Sequence, residues 1–121
     1  PFVSYSYVRA LNILKNSNID LETIKNHKNW TLNNQAEIDL LIDLSDFNTI
    51  LQESANNYFS HNLVNYAYNL TKKFNWYYSK VNIINTDDLD DKILKLKLVL
   101  TFKNIIEEIF DIVAIKLPKK M

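Results

Sequence analysis

Not one of the 121 residues is glycine. That absence limits what the chain can fold into more than any residue it contains. Two-residue hairpins want glycine, or asparagine, at positive φ, and sheet-rich and βαβ folds use glycine in their tight turns. Every glycine-dependent phosphate-binding loop is excluded too, of the nucleotide and the dinucleotide kind alike. A glycine-free globular chain is most easily all helix, with the abundant asparagines available for left-handed positions at helix ends.

The length suits one domain with one modest core. Apolar residues are spread along the chain and never form a run of eighteen, so no segment is predicted to span a membrane. Without cysteine there are no disulfides and no thiolate metal sites. The opening "PFVSYS" lacks the basic region and cleavage site of a secretory signal, and a cytoplasmic location is the plain expectation. Fourteen basic and fourteen acidic side chains cancel, which argues against a sequence-blind DNA binder. A module that reads a few exposed bases is compatible with that balance.

The apolar periodicity then divides the chain. Pro1 fits the first turn of a helix. Val3, Tyr7, Leu11 and Leu14 form one apolar face, while Tyr5, Arg9 and Asn12 share another. Asp20, or an earlier asparagine, caps a short helix reaching about His27. A third helix is expected to turn Ile38, Leu41, Ile42 and Leu44 inward, and Ser45 to cap a fourth through Phe47, Ile50, Leu51 and Ala55. The clearest long helix runs from His61 to about Val81, with Leu63, Tyr66, Ala67, Leu70, Phe74, Tyr77, Tyr78 and Val81 on the helical period. Asp90 or Asp91 begins the last, which carries Leu94, Leu98, Thr101, Phe102, Ile105, Ile109, Phe110 and Val113 to near Ala114. Pro118 marks the end as a tail. The expectation is an all-α, antiparallel bundle of five or six helices, one domain over residues 1–121.

No catalytic constellation emerges. His27 and His61 are far apart and belong to no HExxH pattern. Glu107 and Glu108 read as a solvated helix face, and Asp87 to Asp91 as an acidic loop with capping duty. The latter lacks the glycine and terminal glutamate of a calcium loop. The aromatics say more. "YAYNLTKKFNWYYSK" holds six rings, and a helix has one apolar stripe, so Trp76, Tyr77 and Tyr78 cannot all enter one core. Such rings either fill a wide core with hydroxyls at its rim or offer a stacking platform to unpaired bases. A protein–protein interaction module with an aromatic docking face is the alternative. Arg9 is the only arginine, one turn after Tyr5. The two can form an ordinary cation–π surface pair, or Arg9 can present a two-pronged donor to a base edge or phosphate.

The stretches "PFVSYSYVRALNIL" and "LVNYAYNLTKKFNWYYSKVNI", with the ending "IKLPKKM", resemble the C-terminal helical anticodon-binding domain (DALR type) of arginyl-tRNA synthetases. Pro1, Val3, Tyr5, Tyr7 and Arg9 match the opening Pro-x-Val-Gln-Tyr-Ala-(His/Tyr)-x-Arg pattern, with Ser4 in place of glutamine. Leu63, Asn65, Tyr66, Leu70, Phe74, Asn75 and Tyr78 match the long-helix series. The resemblance implies a module of a larger, monomeric synthetase, trimmed at a domain boundary, whose partners are the anticodon stem-loop of arginine tRNA and the catalytic domain of the same chain. It implies that Tyr5, Arg9, Tyr78 and Met121 line a pocket for flipped-out anticodon bases, the central cytosine above all. Lys72, Lys73, Lys80, Lys119 and Lys120 are candidates for phosphate contacts, as is Lys95, where the family often has arginine. HIGH-type and KMSKS-like signatures are absent. The implied activity, arginine–tRNA ligation with ATP and magnesium, therefore belongs to the parent enzyme, and no cofactor or metal is expected in these residues. The geometric expectation is that Tyr78 lies within roughly 20 Å of Arg9, two helix diameters.

Overall fold

The computed structural model describes residues 1–55 and 59–116. Six α-helices make up its regular structure: α1 (Phe2–Asn16), α2 (Leu21–Lys25), α3 (Gln35–Ser45), α4 (Phe47–Ala55), α5 (Phe59–Lys80) and α6 (Leu89–Lys116). The all-α bundle expected from the missing glycine is the fold found. Asparagine takes over the left-handed role: Asn18, just past α1, has φ of 60°, a helix-end position where glycine is the usual choice.

Side chains start the helices where the sequence offers acceptors. The Thr23 N–H donates to the Asp20 carboxylate at 3.3 Å, which opens α2. The Glu37 N–H donates to Asn34 Oδ1, and Glu37 Oε1 in turn accepts from the Asn33 N–H, both at 2.9 Å. This reciprocal pair satisfies two otherwise orphaned donors at the start of α3. At α6 the cap is Asp88, whose Oδ2 accepts from the Asp91 N–H at 2.9 Å. The helix therefore begins at Leu89, ahead of the Asp90 or Asp91 expected, because an Asx cap serves the N–H three residues on. Ser45 closes α3, its hydroxyl donating to the Leu41 carbonyl, and does not cap α4.

The last helix, about 42 Å long at 1.5 Å per residue, is the central strut. Leu94, Leu96, Leu98, Val99, Phe102, Ile106 and Ile109 are all buried along it, because α1, α2, α3 and α5 pack around it. Phe102 stacks on Phe74 with ring centroids 4.1 Å apart, joining α6 to α5 in the middle of the core. Tyr7 of α1 meets Phe110 and Glu107 of α6, while Phe2 and Arg9 meet Tyr68 and Tyr78 of α5. Helices α1 and α5 thus lie side by side in parallel, both antiparallel to α6. That parallel pair is what brings the C-terminal turns of α5 to the middle of α1.

Some faces differ from the periodicity reading. On α3 the buried residues are Ala36, Glu37, Leu40 and Leu44, whereas Ile38 and Ile42 point outward, Ile42 being 56% exposed. The reason is Glu37. It is fully buried and takes a 2.8 Å ion pair from Lys95 and a 3.1 Å hydrogen bond from the Tyr77 hydroxyl. A buried carboxylate with three donors rotates the helix to keep them. On α1 the buried line is Ser6, Ala10, Ile13 and Leu14, with Val3 and Tyr7 packed at its flank.

The Tyr7 hydroxyl donates to Glu107 at 2.5 Å. The hydrogen bond to the carboxylate, with burial, pushes the Tyr7 phenol up to about 12. The same bond, helped by Lys103, holds Glu107 below the usual carboxylate range despite partial burial. A lowered folded-state pKa contributes stability above the unfolded value, and that contribution is lost as pH falls through the folded one. Tyr7→Phe is therefore expected to flatten the acid side of the stability profile as Glu107 titrates. It should also remove the alkaline loss that the raised Tyr7 phenol causes between about pH 10 and about pH 12, with little change in shape at neutral pH, read by thermal melts.

Candidate nucleic-acid interface

The outer face of α1 and the last turn of α5, with the loop that follows, enclose an open groove of about 890 Å³. Tyr5, Arg9 and Asn12, which share a face by helical spacing, all line it. Tyr78, Ser79 and Lys80 form the opposite wall, and Val81, Asn82, Ile83 and Ile84 form the floor and end. Two cations and several amides line the groove, and among the described residues no carboxylate does. In a chain of zero net charge, that local imbalance favours an anionic ligand.

Arg9 is held in a defined orientation. Its guanidinium lies 4.3 Å from the centroid of the Tyr78 ring, and Nη1 donates to Asn75 Oδ1 at 3.1 Å. Ser6, buried one turn earlier, donates to the same oxygen at 3.0 Å. Asn75 is thus positioned by two donors and in turn positions Arg9. One guanidinium N–H is committed to Asn75, and the planar fork has further donors for a ligand. Arg9 turns to Tyr78 and not to Tyr5, which stands 78% exposed at the rim of the groove. An open ring, a second ring stacked with a guanidinium, and amide edges between apolar walls suit a flat heterocycle with polar edges.

The three consecutive rings divide as one apolar stripe requires. Tyr77 is fully buried, while Trp76 and Tyr78 are 54% and 41% exposed. The 20 Å expected as the limit between Arg9 and Tyr78 is met by direct contact. Met121, Lys119 and Lys120, expected at the same site, lie outside the described residues, as does Pro118. Lys80 lines the groove and Lys72 is exposed nearby on α5. Lys73 is half-exposed and paired with Asp43 at 3.3 Å. Lys95 needs correction as a phosphate contact. Its side chain is 6% exposed, and its ammonium is committed to Glu37 at 2.8 Å and Asp91 at 2.7 Å. Burial opposes the charge on Lys95, but its bonds to Asp91 and Glu37 outweigh that and hold its pKa above the ordinary lysine value.

Sequence reasoning missed Asn16, Ser79 and Asn82 as lining residues and Asn75 as the group that orients Arg9. Asn16 follows Asn12 by one turn, so helical spacing was a usable signal. Asn82 sits in a loop, where no period marks it. Among the described residues, no group of three or more histidine, aspartate or glutamate side chains is placed to hold a metal ion, and no helix is long and apolar enough to cross a membrane.

A helical bundle with a groove of rings, amides and cations has the character of a nucleic-acid-reading module. The chain matches the DALR anticodon binding domain over residues 3–121 and belongs to that family. It is 27% identical over its whole length to an arginine–tRNA ligase of Flavobacterium psychrophilum, of which it covers 20%. It is 31% identical, again over its whole length, to the arginine–tRNA ligase of Buchnera aphidicola, covering 20%. Against that of Methanocaldococcus jannaschii the identity is 34%, with the whole chain matched to 21% of the relative. The chain thus spans about one-fifth of the length of these curated relatives. No solved structure matches it significantly.

Proposed function

We propose that this domain takes the anticodon loop of an arginine tRNA into the groove between α1 and α5, as the C-terminal part of an arginine–tRNA ligase. The observation that carries the reading is the Arg9–Tyr78 stack, set in a groove with cations and, among the described residues, no carboxylate, in a chain whose relatives bear that enzyme name over this same segment. Tyr5 offers an open face for a base to stack on. Tyr78 backs the guanidinium, and Arg9 presents its remaining donors to a base edge or a phosphate. Met121 would supply an adaptable apolar contact. Lys72, Lys73, Lys80, Lys119 and Lys120 would meet phosphates, which position the RNA without reading it.

In the parent enzyme, taken to be a cytoplasmic monomer, the joining of arginine to tRNA with ATP and magnesium belongs to the catalytic domain of the same chain. These 121 residues would hold the tRNA and supply no group to that chemistry. A protein-docking role fits less well, because Arg9, Lys80 and three asparagines interrupt the apolar lining of the groove, where a partner helix would want a continuous apolar surface.

The test is a titration with two anticodon stem-loops that differ only at the central anticodon base, cytosine against uracil. The chain is expected to bind the cytosine form about tenfold more tightly, the scale of a hydrogen bond lost with its partner left desolvated. Affinity should fall with salt at a slope of about −0.7 per phosphate neutralised. Equal affinity for the two stem-loops would count against anticodon reading by this groove.

A further inference from the structure

Outside the groove, α5 carries a second ordered feature. Residues 68, 72, 76 and 80 follow one another at steps of four, which places them in one row along the helix. The row reads Tyr68, Lys72, Trp76, Lys80, ring and ammonium in alternation, each step rising about 6 Å. Both rings are open to solvent, Tyr68 at 49% and Trp76 at 54%. Each carries the next lysine on its face: Lys72 Nζ lies 5.4 Å from the Tyr68 centroid, and Lys80 Nζ 4.3 Å from that of Trp76. Neither lysine has a carboxylate partner among the described residues, in contrast to Lys73 next to them, which is held by Asp43. Lys80 also lines the groove and joins the row to it, while Lys72 and Trp76 border a neighbouring hollow in which Asp43 is taken up by Lys73 and Asp39 lies at the edge.

We propose that this row carries unpaired RNA nucleotides flanking the base held in the groove, so that RNA contact extends along α5 from Lys80 to Tyr68. The proposal rests on the anticodon-reading role of the groove. Single-stranded RNA alternates flat bases with phosphates, and a surface that tracks it combines stacking rings with cations. A protein partner is the poorer fit, since every second position of the row is a lysine and lysine is depleted from the centres of protein interfaces. In the free protein each ammonium rests on a ring. When RNA arrives, a base takes the ring face and the lysine turns to the adjoining phosphate, so both groups are already in place. Phe2 packs against Tyr68 at 5.1 Å and steadies the far end of the row.

A Trp30→Phe background leaves Trp76 as the sole tryptophan, and its fluorescence can be followed while an arginine-tRNA anticodon stem-loop is added. Quenching that saturates with the binding curve is expected. Trp76→Ala should lose about tenfold in affinity, and Lys72→Ala should reduce the salt slope by about 0.7. Unchanged fluorescence at saturating RNA, or Trp76→Ala binding within twofold of the parent chain, overturns the proposal and leaves this face to a protein contact. Arg9→Ala separates the two ideas. If it weakens binding while Trp76→Ala does not, the row alone is wrong. If the parent chain does not bind the stem-loop, the groove reading falls and the row falls with it.

Discussion

Glu37→Ala is expected to destabilise the domain by about 3 kcal/mol, the low end of the cost of breaking a buried ion pair by removing one partner. Lys95 keeps Asp91 at 2.7 Å, which is why the low end applies. For a domain whose whole stability is of the order of 5–15 kcal/mol, this is a large fraction, and the melting temperature should fall on the order of 10 °C. The cost arises because Glu37 is fully buried and satisfies three donors from three places: the Asn33 N–H, the Lys95 ammonium and the Tyr77 hydroxyl. Removing it takes the acceptor from the Asn33 N–H, one half of the reciprocal pair at the start of α3, and leaves an ammonium and a hydroxyl in the core short of an acceptor. Tyr77→Phe, which removes only the hydroxyl, should cost about 1 kcal/mol. A Glu37→Leu, Lys95→Met pair should recover much of the loss, since apolar groups of similar volume can replace a buried ion pair. Urea melts of the four proteins check the series. A Glu37→Ala midpoint indistinguishable from the parent would show that the carboxylate is not buried in this network.

Arg9→Ala is expected to weaken stem-loop binding by about 2 kcal/mol, roughly thirtyfold, the scale of charge-assisted hydrogen bonds. Arg9→Lys should recover only part of this, because an ammonium keeps the charge but not the planar fork or the stack on Tyr78. Tyr78→Ala should cost a similar amount through lost stacking and through release of Arg9 from its 4.3 Å contact. The two residues touch, so the double variant should lose less than the sum of the singles. Asn75→Ala tests the positioning role: it touches the groove through Arg9 and should weaken binding less than Arg9→Ala. Glu108→Ala, an exposed change on α6, should leave the affinity within twofold of the parent.

Much of this architecture was legible before any coordinates, and the residues show why. The absence of glycine foretold the all-helical fold, and Asn18 occupies the left-handed position that asparagine was expected to fill. Helices α5 and α6 declared themselves through long apolar periods. The α3 face was misread because a glutamate is taken as exposed by default, and the partners that bury Glu37 lie far along the chain on α5 and α6. The same blindness put Lys95 among the phosphate contacts, since a lysine in a sequence carries no sign of its counter-ions. At the groove, spacing grouped Tyr5, Arg9 and Asn12, but nothing local placed Tyr78 against Arg9. That contact requires α1 and α5 to lie in parallel against α6, a tertiary fact reached beforehand only through resemblance to a family. Asn82 as a groove residue and Asn75 as the group that orients Arg9 were invisible because asparagine is common in this chain and marks caps, loops and surfaces alike.

The single arginine makes the central claim open to one direct observation. Its Nε–H gives one side-chain resonance with no other arginine to confuse it, and that signal can be followed by NMR as an arginine-tRNA anticodon stem-loop is added. Occupation of the groove predicts that the Arg9 signal shifts and saturates with the binding isotherm, together with the backbone amides of Tyr5, Asn75 and Tyr78. The shift should be smaller at equal RNA concentration for the stem-loop with a changed central base. A stem-loop that binds to saturation while the Arg9 Nε–H stays where it began would contradict the account.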